Sequence, residues 1–319
     1  MLDDIIERFK NSRNIQEKEK LKPILNQIRE QGYKSEQIYA SIGEDSAAIR
    51  LTPESEDLIL ISTDALLPQF VIKSPYGAGF SSIYVGIDDI MAAGGIPIAC
   101  TSTVEYADPK LGEQIFKGML KATNKFHIPL IRGHTTTDSE NTHLTTTIIG
   151  TAKISHFLSA KNAQIGNFIA IVWDIDGKPA AANKYYWDTI TMKETEEFYG
   201  KRDFIRNCIA RKLITTCKDI SNGGILGTLL QLLEYNKKGA ILDIEKINQQ
   251  YHSNRMPYTL LEFLFLFLTS GFIITGSNLT KSHCQAEIEK SKMIFYEIGE
   301  IIEGNSIYLQ DEQKKKKLI

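Results

Sequence analysis

The chain has 319 residues, with 37 Lys and Arg against 39 Asp and Glu, a formal net charge of -2 and a pI near 6.3. At 42% hydrophobic and 24% charged residues the composition is ordinary for a globular protein, which excludes wholesale disorder, collagen-like repeats and a disulfide-stapled miniprotein. A length of about two domains at roughly 150 residues each follows, and the balanced charge offers no electrostatic footprint for nucleic acid.

In chain order, residues 1–38 read as two short amphipathic helices, the second carrying Leu21, Ile24, Leu25 and Ile28 at helical spacing. The opening MLDDIIERFK lacks the apolar core and small-residue cleavage site of a signal peptide. Ala47–Leu51 and Leu58–Ser62 have strand length, Phe80–Ala93 reads as a helix ended by Gly94-Gly95, and Ile96–Val104 is strand-like. Pro109–Phe126 is a helix with Ile115, Phe116, Met119 and Leu120 on one face, and Ile128–Ile131 and Leu144–Ile154 are strands. This alternation gives an α/β domain over residues 1–158, with 1–38 as a helical extension, and a second α/β domain over 159–319. Within the latter, Phe168–Trp173 is a strand, residues 174–188 a long loop, Glu194–Leu213 a helix, KDISNGG a turn, Ile225–Tyr235 a helix and Ala240–Ile244 a strand. The apolar stretch Tyr258–Thr275 contains Glu262 and is interrupted at Ser270-Gly271, so it predicts a buried helix followed by a strand, Phe272–Thr275, and no membrane span. A helix near His283–Lys292 and a strand pair, Tyr296–Ile302 with Ser306–Leu309, complete the domain, and Lys314–Lys317 reads as a solvated tail.

Cys100, Cys208, Cys217 and Cys284 stand far apart with no CxxC, the pattern of reduced thiols in a cytoplasmic protein. There is no GxxxxGK[ST], HExxH or GxSxG, and Gly77-Ala78-Gly79 lacks the third glycine and preceding strand of a dinucleotide site. What stands out is acidic residues at turns beside apolar strands: Gly43-Glu44-Asp45, Ser62-Thr63-Asp64, Asp88-Asp89 and Asp219-Ile220-Ser221-Asn222-Gly223-Gly224. Carboxylates gathered at strand ends suit Mg²⁺ bridging to polyphosphate oxygens, and the Ser-Asn-Gly-Gly turn opening a helix offers free backbone N–H groups to an anion. Taken singly, each is an ordinary turn former.

In this order, GEDSAAI, STD, GIDDIMAAGGIPIA, RGHTTTD and KDISNGGILGTLLQLLE resemble the AIR synthase-related superfamily over about Ile42 to Gly304. That superfamily holds aminoimidazole ribonucleotide synthase, thiamine-monophosphate kinase, selenophosphate synthetase and a hydrogenase maturation dehydratase. RGHTTTD, KDISNGG and the NKYYWD loop resemble most an AIR synthase-like branch apart from these enzymes. The resemblance implies an N-terminal α/β domain whose strands pair across a homodimer into a barrel, a C-terminal α/β domain, and activation of a substrate oxygen by phosphoryl transfer from ATP. It further implies Mg²⁺ (or Mn²⁺) on Asp45, Asp64, Asp89 and Asp219, and nucleotide contacts from Thr63, Thr135, Thr136, Ser221, Asn222, Gly223 and Gly224. The substrate would be a small molecule.

The departures carry information too. His134 stands where the family has a metal-binding Asp, Asn222 where DxSDG has its second Asp, Arg132 replaces a glycine, and Gly86 replaces an asparagine. Replacing two carboxylates by imidazole and amide removes up to about two negative charges near neutral pH. Imidazole suits metals softer than Mg²⁺, so His134 is either a ligand or a catalytic acid/base, or it only hydrogen-bonds within its own loop. The alternative to an enzyme is a nucleotide-binding scaffold or partner subunit that has lost turnover.

Overall fold

A computed structural model describes residues 1–252, 256–312 and 314–319. The chain opens with α1 (Leu2–Lys10) and α2 (Arg13–Gln31). Leu2, Ile5 and Phe9 recur along one face of α1 and are buried; with Ile15 of α2 they enter a core otherwise built from the C-terminal half. The helical extension therefore packs on the second half of the chain.

Next come β1 (Ile38–Ala40), β2 (Ala47–Arg50), β3 (Asp57–Ala65), α3 (Pro68–Lys73), α4 (Pro75–Ala92), β4 (Ile96–Glu105), α5 (Pro109–Phe126), β5 (Leu130–Thr136) and β6 (His143–Lys153). The strands form one sheet in the order β1-β2-β3-β6-β4-β5. All neighbours are antiparallel except β4 and β5, whose connection runs through α5. Side chains alternate across each strand, so Leu58, Leu60, Leu144 and Ile148 face α4 and α5, where they meet Ile83, Ile87, Ile115 and Met119. Among the described residues no helix covers the opposite face: Ile59, Ile61, Ile149 and a band of threonines lie half-buried there, and Ile98 is exposed.

The second half contains β7 (Asn167–Trp173), β8 (Lys178–Pro179), β9 (Tyr186–Asp188), α6 (Thr195–Gly200), α7 (Asp203–Ala210), β10 (Thr216–Asp219), α8 (Gly224–Asn236), β11 (Gly239–Asp243), α9 (Ile244–His252), α10 (Leu260–Phe263), β12 (Phe267–Leu268), β13 (Gly271–Ser277), α11 (Lys281–Lys290), β14 (Ile294–Ile302), β15 (Ile307–Gln310) and β16 (Lys315–Lys317). Seven strands form a sheet in the order β10-β13-β7-β14-β11-β15-β16, and β12-β9-β8 form a small separate one. Every residue of β7 is buried, because both faces of this sheet are covered. Ile169, Ile171 and Trp173 pack with α8 and α10, while Phe168, Ala170 and Val172 pack with α7 and α11.

Several sequence expectations change. Residues 174–188 are not a bare loop: β8 and β9 pair there, and β9 runs parallel to β12. The helix expected over Glu194–Leu213 is two, α6 and α7, and that expected after Pro257 is the single turn α10. An all-apolar run has no polar face to set its period, so Phe267–Leu268 leaves the helix to join a strand. Glu262, the charge that argued against a membrane span, closes a capping box with Thr259. Tyr296–Ile302 and Ser306–Leu309 are not partners, since β11 lies between them. Lys314–Lys317 is no free tail: Lys315–Lys317 pairs with β15, and Lys316 Nζ lies 2.6 Å from Asp3. Among the described residues no helix is long and apolar enough to cross a membrane.

Candidate functional site

Four acidic residues from separate segments converge where the two halves meet. Asp45 follows the β1 strand in the GEDSA loop, Asp64 ends β3, Asp89 lies on α4 and Asp219 ends β10. Carboxylate oxygens of Asp45, Asp89 and Asp219 all lie within 4.8 Å of one another. Asp64 is near enough to Asp89 for its charge to raise that carboxyl. The loop reaches this position because Gly43 sits at φ 110° against the Tyr235 ring, where an added Cβ would fall 2.2 Å from a ring carbon.

Electrostatics define the cluster. Burial first, then the charges of Asp219 and Asp64, push the Asp89 carboxyl well above its ordinary range, although the Ser62 hydroxyl donates to it. Burial also raises Asp219, against the pull of the Lys218 ammonium. Lys218 in turn forms an ion pair with Asp45, and the Asp219 N–H lies 3.4 Å from the other Asp45 oxygen. A carboxyl raised in this way holds a proton more readily than a free one. The donor set is all oxygen and compact, so it fits a hard divalent ion such as Mg²⁺ or Mn²⁺, for which that proton is a competitor.

The Ser221–Gly224 turn lies beside Asp219 and opens α8. Gly223 and Gly224 take φ 109° and 66°, and a Cβ on Gly224 would meet the Phe265 backbone at 2.5 Å. Of the four amides expected to be free, two are not: Ser221 N–H donates to Thr228 Oγ1 at 3.2 Å and Gly224 N–H to the Ser221 carbonyl at 3.0 Å. Asn222 and Gly223 have no intramolecular acceptor for their amides among the described residues. The Asn222 side chain accepts from Tyr186 Oη at 3.2 Å, which gives that amide a partner from β9.

The remaining sequence candidates lie elsewhere within one chain. Thr63 points to the uncovered face of the sheet, opposite Asp64, and its hydroxyl is 2.9 Å from that of Thr147. His134, Thr135 and Thr136 lie on the exposed edge strand β5, with His134 level with Thr103 of β4. From β3 that strand is three positions across the sheet, about 14 Å at about 4.8 Å per strand.

Three groups at or near the site carry no sequence signal. Lys218 stands in the sequence only as part of a turn. Lys18 of α2 reaches Ser221 Oγ at 3.4 Å and Gln231 Oε1 at 3.0 Å, and nothing in α2 distinguishes it from neighbouring lysines. Arg202 pairs with Asp88, so the two adjacent acids of α4 have different surroundings.

Comparison with known proteins agrees with this architecture. The profile described as AIR synthase related protein, N-terminal domain, matches residues 43–152, and its C-terminal domain counterpart matches 178–312. An uncharacterised protein of Synechocystis sp. is 32% identical over 269 residues, covering 84% of this chain and 80% of its own, and one of Methanocaldococcus jannaschii is 31% identical over 239 residues, covering 75% and 72%. The chain belongs to the AIR synthase-related family. In fold it resembles T. maritima PurL complexed with ATP (TM-score 0.71, 14% identity, 89% of this chain) and AaThiL complexed with AMPPCP and TMP (TM-score 0.60, 18% identity, 86% of this chain and 91% of that one). The chain spans 47% of the PurL chain's length.

Proposed function

We propose that this protein is a cytoplasmic, ATP- and divalent-metal-dependent enzyme that activates an oxygen of a small-molecule substrate by phosphoryl transfer, in the manner of a kinase or ligase. The convergence of Asp45, Asp64, Asp89 and Asp219 carries the reading. Mg²⁺ or Mn²⁺ held by these carboxylates would neutralise charge on the phosphoryl oxygens. The rest is positioning, which is most of what phosphoryl transfer asks of a protein. The amides of Asn222 and Gly223, at the positive end of α8, would receive phosphate oxygens, and Lys218 would turn from Asp45 toward the same anion. The nucleotide-bound PurL and AaThiL structures, which share this fold, support the choice of ATP.

The uncovered face of the N-terminal sheet would pair with a second copy. His134, Thr63, Thr135 and Thr136 would then reach the nucleotide across a homodimer, with His134 as metal ligand or acid/base. One observation favours the rival reading of a nucleotide-binding partner subunit without turnover: Lys218 already neutralises Asp45, so a metal must displace an ammonium. The test is thermal. ATP with Mg²⁺ or Mn²⁺ should raise the melting temperature, and Asp64→Asn should remove most of that shift. ATP turnover in the same samples separates enzyme from scaffold, and no shift with either metal would refute both.

A further inference from the structure

A cavity of about 420 Å³ lies between the α1–α2 junction, the segment joining β8 to β9, the approach to β12 and the Asn222-Gly223 turn. That volume falls in the range of small-ligand sites. Four half-exposed aromatic rings line it, Tyr185, Tyr186, Phe265 and Phe267, and most of its polar groups are asparagine amides. Among the described residues Arg8 is the one charged side chain in the lining. Tyr185 and Tyr186 come from the NKYYWD segment, which the carboxylate centre itself does not use.

The lining falls into two groups. In the first, the Arg8 guanidinium lies 4.9 Å from the centre of the Phe265 ring and 6.0 Å from that of Tyr185. Rings hold a guanidinium by its face and leave the N–H groups at its edge to a partner. Among the described residues Arg8 has no carboxylate within salt-bridge distance and no hydrogen-bond acceptor. Glu262 feels its charge, but that carboxylate is committed to its own cap, accepting from Thr259 N–H at 2.9 Å and Thr259 Oγ1 at 3.1 Å. In the second group the Tyr186 and Phe267 ring centres are 5.1 Å apart, and Tyr186 Oη donates to Asn222. Phe265 packs on the core of the second half and Phe267 on that of the first, so the pocket straddles both. The side chains of Asn11 and Asn14 make no hydrogen bond among the described residues, and Asn183 uses only Oδ1, which accepts from Tyr185 N–H at 3.0 Å.

We propose that this pocket recognises the small-molecule substrate by a planar aromatic ring bearing a single carboxylate, the carboxylate on the edge of the Arg8 guanidinium and the ring against Tyr186 and Phe267. One arginine held flat, with no second cation in the lining, matches a monoanion in bidentate geometry; a phosphate dianion would lack counter-charge here. The aromatic walls favour a flat partner, and the unpaired amides of Asn11, Asn14 and Asn183 suit heteroatoms at its rim. Asn222 and Gly223 belong both to this pocket and to the turn assigned above to phosphate oxygens, which sets the ring beside the phosphoryl donor. The assignment rests on the phosphoryl-transfer reading and adds the class of substrate. The helical extension thereby takes part in recognition, since α1 supplies the cation.

The probes are benzoate, benzamide and acetate, each titrated into the full chain and followed by ligand-observed NMR. Benzoate should bind about tenfold more tightly than benzamide, the difference of one charge-assisted contact, and about tenfold more tightly than acetate, which lacks the ring. Arg8→Gln should abolish the preference for benzoate over benzamide, and Phe267→Leu should weaken both about tenfold. Arg8→Lys keeps the charge without the fork and should retain only part of the preference, which decides the matter if the Gln variant fails to fold. Equal binding of benzoate and benzamide by wild type, or benzoate binding unchanged in the Arg8 variants, overturns the assignment. With Mn²⁺ and ATP bound, the metal should broaden the benzoate resonances, and Asp219→Asn should remove the broadening; benzoate that binds without it is not beside the reaction centre, and its role as substrate falls. If benzoate fails to bind while Mn²⁺ and ATP raise the melting temperature, the pocket assignment is overturned and the proposed function stands. Benzoate bound with the expected Arg8 dependence by a protein that takes neither Mn²⁺ nor ATP supports the aromatic carboxylate site and overturns the phosphoryl-transfer reading instead.

Discussion

Arg202 holds both carboxylate oxygens of Asp88, with Nε 2.5 Å from Oδ1 and Nη2 2.8 Å from Oδ2. Asp88 lies on α4 of the first half, and Arg202 lies between α6 and α7 of the second. Both are buried, and the guanidinium also donates to the Phe198 carbonyl and Ser270 Oγ and stacks over the Phe198 ring at 3.5 Å. Its donors are met on several sides, so this buried charge is well satisfied. Asp88 thus ties the two halves together while its neighbour Asp89 faces the carboxylate cluster.

Asp88→Asn should therefore be expensive. It leaves a buried guanidinium without its counter-charge and should cost about 3–5 kcal/mol of stability. Replacing both partners by apolar residues, Asp88→Leu with Arg202→Met, should cost less than the single change. Urea unfolding of the three proteins checks this; a single variant within about 1 kcal/mol of wild type would mean that the pair does not hold the halves together.

At the carboxylate cluster the order reverses, and a mutation should stabilise. Burial and mutual repulsion raise Asp89 and Asp219 above their unfolded values. The stability linked to these groups is fully present below the unfolded value of 3.8 and is lost as pH rises through the raised folded values. Asp219→Asn should thus be more stable than wild type at neutral pH without metal, and should weaken Mn²⁺ binding about tenfold or more. Unfolding with and without chelator, beside a Mn²⁺ titration, reads both, and a variant less stable than wild type in chelator would contradict the repulsion argument.

The uncovered face of the N-terminal sheet predicts association. Ile98 is 47% exposed there and Ile96, at the strand's start, is 66% exposed, beside half-buried Ile61 and Ile149. Two copies paired through this face would bury those side chains and protect the edge of β5. Sedimentation at micromolar concentration should give a dimer, and Ile98→Asp, a charge placed on the face, should give a monomer that remains folded. Wild type that sediments only as monomer refutes the dimer.

Much of the fold is legible in the sequence because periodicity and punctuation agree. Pro109–Phe126 starts at a proline and shows one apolar face, so the predicted helix and α5 coincide. β10 is missed because Thr216–Asp219 offers four residues with no alternation, and its burial comes from β13. The acids of the cluster are quotable as turn residues, yet only the family resemblance gathers them, since Asp45 and Asp219 are brought together by the packing of two halves. Lys18 is invisible for the opposite reason: α2 is rich in lysine, and only the docking of Ile15 near Gly223 and Gly227 selects which one turns inward.

That selected lysine makes a prediction with a definite sign. Burial, helped by the Lys218 charge and opposed by Asp219, lowers the Lys18 ammonium from 10.5 to about 8. Below about 8 both folded and unfolded chains hold the proton, and the folded state bears the full cost of burying it. Between about 8 and 10.5 only the unfolded chain still holds it, so stability rises with pH across that window. Lys18→Met keeps the apolar stem and removes the charge. It should stabilise the protein at neutral pH by at most roughly 3 kcal/mol, the upper bound set by the shift, and the gain should fade as pH approaches 10.5. Urea unfolding at neutral and alkaline pH tests this. A stability difference that does not change with pH would show that Lys18 is not buried as a charge.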